Sequence, residues 1–493
     1  MKFLLRSTSL TALVLGLAAC TTPPPEALHA GDMPAAFTAP TTPETASAPL
    51  WPTLAWWNGF NAAELPPLET TALTQNLDLL AAAARVQQAH ANTGIAGSSL
   101  FPSLSGTGTA ERDGSNAGTT FIGGVPVSAG GTRNTFGIGA QASYEVDLWG
   151  LNRDQLRAAE QNELGARYAE QTVRLTITSD VANTYLDVLA LRQRITIANQ
   201  NIDAAKRILA ITEAKVTNGV SSNLELAQQR AQVAGEEAAV PALEEQEREA
   251  RYALAILLGR APEGFDVTAV KLDGIVAPAV RAGIPTELLT RRPDVAQAEA
   301  QLLAAHANVD AARAAFFPQI NLSAGVTQAF NPSSLAWSIG ASLLQAVFDG
   351  GLLSSESDLA KAQQTELLVD YRKAVFSALS DSESAMGQVT SLQEQERLLA
   401  EEERNAAEAY RIAELQYREG VTDLLNVLQT QQTLFTAQDQ LVQTRLARLQ
   451  ASVSLYRALG GGWTVATDPN AAPDKGFSPL DYFPIATAIT GGP

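Results

Sequence analysis

The stretch LNRDQLRAAEQNELGARYAEQTVRLTITSDVANTYLDVLALRQRITIANQNIDAAKRILAITEAKVT, residues 151–217, decides how the rest of the chain is read. It holds no proline and one interior glycine, Gly165, and it runs into Asn218-Gly219-Val220. Residues 352–418 repeat the plan, with Gly387 inside and Glu419-Gly420-Val421 at the end. As helix, about 67 residues rising about 1.5 Å each make a rod of about 100 Å. A globular domain needs nothing so long, and a helix that simply crosses a bilayer is far shorter. Ahead of each rod lies a glycine-rich, alternating stretch that predicts a β-hairpin. A strand pair fused to a long helix, twice in one chain, predicts a device that spans a distance.

The two copies can be aligned by eye. Ala89-His90-Ala91-Asn92 recurs as Ala305-His306-Ala307-Asn308, and Phe101-Pro102 as Phe317-Pro318, both at a shift of 216. Past the strands the shift drops to 201, with Gly219-Val220 matching Gly420-Val421 and Leu258-Gly259 matching Leu459-Gly460. The first copy therefore carries 15 extra residues between Pro102 and Gly150. They fall in a Gly, Ser and Thr-rich segment, 113–132, which is expected to be a loop. The strands are expected at 103–112 and 134–148, and again at 319–330 and 335–348. Each is close to the 9–11 residues that a tilted membrane strand requires, with small or polar residues alternating against apolar ones. Helices are expected at 67–100 and 286–316 before the strands, and at 221–258 and 422–459 after the turns. Pro241 should kink or break the first return helix. In the second, Leu428, Phe435, Val442, Leu449 and Tyr456 fall every seventh residue, the spacing of a coiled-coil seam.

The predicted organisation is a signal peptide at 1–19, a tether and first packed segment at 20–60, and a first repeat at 61–262. A connector at 263–285, a second repeat at 286–462 and a tail at 463–493 complete it. Lys2 and Arg6, a short apolar core and then small residues mark the signal. Leu17-Ala18-Ala19-Cys20 resembles a bacterial lipobox, and Cys20 is the only cysteine of the chain. That resemblance implies cleavage before Cys20, which then carries a diacylglycerol and an acyl chain (palmitate) as a lipoprotein anchor. Thr21 rather than aspartate follows it, which implies sorting to the outer membrane. Trp51, Trp56 and Trp57 open the packed structure, as aromatic packing or as anchors at headgroup depth.

The 493 residues are 46% hydrophobic and 17% charged, with a formal net charge of −18. That balance excludes a nucleic-acid partner, which would need a basic face. No run of about 18 apolar residues follows the signal, so any membrane crossing is expected through strands. The chain shows no nucleophile elbow, phosphate loop, dinucleotide fingerprint or zinc-ligand spacing, and none of these enzyme chemistries is expected. His29, His90 and His306 are too scattered for a metal site.

The helix lengths carry a further expectation. The two shorter helices of each half together match one long rod, so each chain should offer four helical columns and four strands. Four strands cannot close a barrel, and an open edge in lipid leaves backbone groups unsatisfied at several kcal/mol each. A closed cyclic oligomer around a passage is therefore expected.

Residues Gly283-Ile284-Pro285-Thr286-Glu287-Leu288-Leu289-Thr290-Arg291-Arg292-Pro293-Asp294-Val295 resemble the signature of outer-membrane efflux lipoproteins. These are TolC-like outer-membrane factors that serve resistance-nodulation-division pumps. The match continues through Ala298-Glu299, Leu302, Ala305, Ala307 and Phe317-Pro318. The resemblance implies a homotrimer, mainly α with a β-barrel portion. Its twelve-stranded outer-membrane barrel would continue into a twelve-helix periplasmic α-barrel with an equatorial belt. It also implies a periplasmic adaptor and an inner-membrane proton-driven pump as partners, with multidrug or other toxic-compound efflux as the role. An outlet of a type I protein-secretion system shares the fold. A non-conducting periplasmic coiled-coil lipoprotein is the remaining alternative.

By the same resemblance, Asn218, Gly219, Val220 and Ser221, with Glu419, Gly420, Val421 and Thr422, are the turns that meet the adaptor. The periplasmic aperture falls on Glu225 and Gln228 in the first copy and on Asn426 and Gln429 in the second. Amides largely stand where the family commonly has aspartates, so a strongly acidic, cation-blocked gate is not expected. The Arg291-Arg292-Pro293-Asp294 run is expected to start a helix with its arginines in fixed pairs.

Overall fold

The computed structural model describes residues 34–39, 51–330 and 333–464. Cys20 and the tail beyond Thr464 lie outside the described residues. After a 3₁₀ turn at Trp56–Phe60 come helices α1 (Leu65–Gln75) and α2 (Leu77–Ser98), then strands β1 (Ser103–Ile122) and β2 (Val125–Glu145). The long helix α3 (Leu151–Thr217) and its return α4 (Asn223–Leu257) end the first half. The second half repeats this with α5 (Pro293–Ala314), β3 (Gln319–Phe330), β4 (Ser333–Leu344), α6 (Leu352–Arg418) and α7 (Leu424–Ala458).

Both long helices have 67 residues. Each starts after a glycine in the left-handed region, Gly150 at φ 90° and Gly351 at φ 92°, which any side chain would strain. An aspartate just upstream receives the free amides of the first turn: Asp147 accepts from Asn152 and Arg153, Asp349 from Gly351 and Leu353. A carboxylate there also complements the positive end of the helix.

Three expectations fail or are narrowed, each for a local reason. The extra residues of the first copy form no loop. Strands β1 and β2 run straight through them to a two-residue turn, Gly123-Gly124, with φ of 62° and 85°. Two adjacent positive-φ residues make the tight hairpin turn that matches strand twist, and the Ser, Thr and Val residues around them suit extended backbone. Of the two outcomes expected at Pro241, a break does not occur, because α4 is helical on both sides of it. Pro241 lies on the exposed face, where water can reach the Glu237 carbonyl that loses its bond. The helices expected at 67–100 and 286–316 are each broken, because Asn76 (ψ 130°) leaves helical geometry to cap α2 and Arg292 (ψ 119°) leaves it just before α5.

The sheet has the order β1-β2-β3-β4, antiparallel throughout. The register puts Leu335, Trp337, Ile339 and Leu343 of β4 on one face together with Ile320, Leu322 and Val326 of β3. Ser338, Ser342, Ser323 and Thr327 share the other face with Thr107 and Gln141. One wall is thus apolar and the other small and polar, as a sheet between lipid and a watery lumen requires. Every residue of β4 is exposed in the single chain. Among the described residues neither β1 nor β4 has an outer neighbour.

The helices share this order. Helix α3 is flanked by α2 and α4 on one side and by α5 and α7 on the other, and α6 packs on the far side of α5 and α7. The chain therefore forms four columns, with α2 over α4 at one border and α6 at the other. Along α6, Leu352, Leu359, Val369 and Phe376 leave more than half of their surface exposed. Near the junction of the columns lies the main core, built on Phe60, Leu65, Tyr185, Leu186, Leu189, Leu254, Leu288 and Leu449. Trp51 and Trp56 are buried in it, so they pack there and do not anchor the chain at headgroups. Trp56 stacks on Tyr456 at 5.2 Å. No helix among the described residues is long and apolar enough to cross a membrane.

Candidate functional site: helix tips, column joints and the conduit wall

At the first tip the Val220 amide donates to Lys215 O (2.8 Å) and the Gly219 amide to Val216 O (3.0 Å). At the second, Val421 donates to Gln416 O (2.8 Å) and Gly420 to Tyr417 O (3.1 Å). This paired bonding ends a helix through a residue at positive φ, here 72° and 78°. A Cβ on either glycine would meet nothing within 4 Å, so backbone conformation alone calls for glycine. The next helix starts at once, with Ser222 accepting from the Glu225 amide and Asp423 from the Asn426 amide.

Each tip presents two apolar side chains to solvent, Val220 with Leu224 and Val421 with Leu425, all more than half exposed. The four residues singled out for the aperture divide into two kinds. Glu225 and Asn426 are bonded back to their own tips, Glu225 to the Ser221 hydroxyl and Asn426 to Thr422 Oγ1 at 2.8 Å. Gln228 and Gln429 stay exposed. Above the tips the halves are cross-linked. Lys215 Nζ donates to Tyr417 O and sits 3.9 Å from the centre of its ring, and Thr212 Oγ1 lies 3.0 Å from Tyr417 Oη.

The efflux-like signature turns out to be a joint between stacked helices. Pro293 is the first residue of α5, and Arg292, 9% exposed, projects into the seam below it. Its guanidinium contacts Asp294 (2.6 Å), Asp381 of α6 (3.1 Å) and the last carbonyl of α7, Ala458 O (3.4 Å). Burial works against its charge, but the two carboxylates outweigh burial and hold it protonated. Gly460 packs so closely that a Cβ would lie 1.9 Å from Arg291 O. The corresponding joint in the first half has Asn76 donating to Leu257 O (2.8 Å) and Gly259 against Gln75 O. Arg291 pairs with Glu287 (3.2 Å) and lies over the Trp51 ring at 4.6 Å. The arginines are therefore in fixed pairs and do not form a docking patch. The two histidines that repeat also serve locally, His90 beside Glu163 and His306 beside Gln364.

The Arg292–Asp381 and Lys215–Tyr417 contacts escape a reading of the sequence. Their partners stand 89 and 202 positions away, on columns whose adjacency no local pattern encodes. The signal that could have found the joints is the repeat itself, which sets Asn76 against Arg292 and Gly259 against Gly460.

A membrane-ready sheet continuous with helical columns, both ending in the same two unpartnered borders, defines a subunit of an outer-membrane channel of the TolC-like fold. The outer membrane efflux protein profile matches residues 68–260 and 284–461, one block for each repeat. The chain belongs to that family and is an outer-membrane efflux channel protein. It is 41% identical to the pyoverdine export outer membrane protein OpmQ of Pseudomonas aeruginosa, over 83% of this chain and 87% of that one. It is 28% identical to the cation efflux system protein CusC of Escherichia coli K12, over 83% of this chain and 88% of that protein. The outer-membrane channel OprN superposes with a TM-score of 0.79 at 29% identity, covering 90% of this chain and all of that one.

Proposed function

We propose that three copies of this chain form a passive exit duct, with a twelve-stranded barrel in the outer membrane and a twelve-helix tunnel in the periplasm. The observation that carries this is the shared pair of borders. Among the described residues β1 and β4 lack outer neighbours, and they join directly to α2 and α6, the helices at the two open borders of the helical wall. Unpaired strand edges do not persist in lipid, so copies must complete one another. Diacylglycerol and an acyl chain on Cys20 hold the trimer to the outer membrane. Asn218, Gly219, Val220 and Ser221, with Glu419, Gly420, Val421 and Thr422, dock a periplasmic adaptor, and the exposed Val–Leu pairs supply the contact. An inner-membrane proton-driven pump drives transport, and the duct itself catalyses no reaction. Gln228 and Gln429 line the aperture, while Glu225 and Asn426 brace the turns.

The cargo is a small molecule. The relative at 41% identity is named for pyoverdine, and relatives at 28–29% for cations, toluene or antibiotics. The higher identity favours an organic metal-chelating molecule over a bare cation. Purified protein added to a planar bilayer should insert as a trimer and conduct. A stable lone subunit that leaves the bilayer impermeable would overturn the reading. Deleting the gene should make such chelators accumulate inside the cell envelope.

A further inference from the structure

The two halves of the chain meet along an internal seam, where α3 packs on α5 and α7 and where β2 pairs with β3. The shifts that align the halves carry this seam onto the open borders. A shift of 201 takes α3 to α6, β2 to β4 and, in reverse, α7 to α4. A shift of 216 takes α5 back to α2 and β3 back to β1. The sheet itself checks both shifts. Ser103 pairs with Ser143 in the first hairpin, and the shifts turn that pair into Gln319 with Leu344, which the second hairpin makes.

Across the internal seam, a Cβ on Gly165 of α3 would touch Ala300 and Gln301 of α5, and Tyr168 packs with Ala296 and Ala300. At the borders these positions become Glu366 with Ala84 and Arg85, and Val369 with Leu80 and Ala84. Tyr168 and Ala296 are buried, whereas Val369 and Leu80 are each more than half exposed in the single chain. Glu366 and Arg85 are exposed, opposite in charge and in no ion pair among the described residues. Farther from the sheet, Gln450 of α7 donates to Asp187 of α3 at 2.8 Å. The border counterparts are Glu249 and Gln388, both exposed, a carboxylate and an amide with their roles exchanged. Not every contact repeats. The Arg157–Asp310 and Arg194–Asp439 pairs become Asp358 with Gly94 and Gln395 with Ala238, which cannot pair.

The strands obey the same transfer. Gly137 opposite Ala329 becomes Ser338 of β4 opposite Asp113 of β1. In that register Ser342 faces Thr109 on the polar wall, and Ala341 faces Ala110 on the apolar wall. A slip of one residue would set one wall against the other.

We propose that each copy joins the next through a repeat of its own internal seam. Glu366 of one copy meets Arg85 of the next, Gln388 meets Glu249, and β4 pairs with β1 so that Ser342 lies opposite Thr109. This rests on the trimeric reading and adds which residues face one another across it. Such a joint is heterologous, each copy offering one border to the other border of its neighbour, and it closes as a ring.

The test uses the full-length protein. Ser342→Cys with Thr109→Cys should give covalently linked trimers on non-reducing gels after mild oxidation, and neither single variant should. Within one chain β1 and β4 stand three strand spacings apart, about 14 Å, too far for a disulfide. Ser342→Cys with Ser105→Cys, four residues out of register, should link on the order of tenfold less. Glu366→Arg should raise the share of free subunits in mild detergent about threefold, and adding Arg85→Glu should return it to the parent value. A trimer that links through position 105, or through neither position, overturns the seam and leaves the trimeric reading standing. So does a double charge variant no tighter than Glu366→Arg alone. A lone subunit overturns both.

Discussion

The two joints between stacked helices share a backbone solution and differ in side-chain chemistry. In each, a glycine at positive φ lets the end of one helix settle against a carbonyl just before the next: Gly259 on Gln75 O and Gly460 on Arg291 O. In the first, the neutral Asn76 both caps α2 through Leu79 N (3.0 Å) and ties α4 through Leu257 O. In the second, the buried Arg292 gathers Asp294, Asp381 and Ala458 O, and so joins three elements rather than two. The duplicated halves face one geometric demand, that about 100 Å of wall be covered by two helices end to end. Backbone approach meets that demand, and the side chain that finishes the joint is free to differ.

The largest expected effect tests the shared part. Gly460→Ala would place a Cβ 1.9 Å from Arg291 O, and Gly259→Ala would place one 2.2 Å from Gln75 O. Neither carbonyl can swing away as a flexible side chain would. Both variants should lose more than about 4 kcal/mol, seen as a large fall in the melting temperature of the purified protein. If either melts like the parent, close approach is not what the joints require.

The next test addresses the difference. Arg292→Ala removes a buried cation from the half-buried Asp294, the exposed Asp381 and the Ala458 carbonyl, and should cost about 2–3 kcal/mol. Asn76→Ala removes a cap and one tie and should cost about 1–2 kcal/mol. Thermal melts of the two variants in one detergent would decide, and equal losses would break the contrast.

The strongest pH dependence comes from the first half. Glu69 of α1 is fully buried and its two carboxylate oxygens have no partner. Burial pushes its carboxyl well above the ordinary range. The second half has Pro285 at the matching position, 216 residues on. A folded state that holds the proton more tightly than the unfolded chain is favoured at low pH. Its contribution shrinks as pH rises through the ordinary carboxylate range toward the raised value. Glu69→Gln should therefore flatten the fall in melting temperature between mildly acidic and neutral pH and raise stability at neutral pH. A parallel pH curve for the variant would rule this out.

The smallest effect belongs to the tips. Gly219→Ala and Gly420→Ala meet open space, so only the positive φ opposes them, and each should cost about 1 kcal/mol. The ratio between tip and joint glycines separates conformational strain from collision.

Much of the architecture is legible in single stretches. Both long helices and the glycines that end them follow from helical periodicity without proline and from turn chemistry, all local along the chain. Strand β3 covers the residues that alternation outlines. The extended first hairpin, the break at Asn76 and the intact helix at Pro241 were not legible, because each outcome depends on surroundings. Two glycines can close a hairpin or sit in a loop, and a proline is tolerated only where its face meets water. The candidate tips could be named from the turns, but the bond from Asn426 to Thr422 and the one from Lys215 to Tyr417 could not.

By itself, then, the sequence determined the elements, their duplication and the need for more strands than one chain owns, because periodicity and turn residues act over a few positions. Only the tertiary structure decided that Arg292 closes a joint, that Trp56 lies in a core, and that sheet and helices leave their borders open on the same two sides. Those facts depend on which columns are neighbours, and neighbours here are brought together by packing across as many as 263 positions of chain.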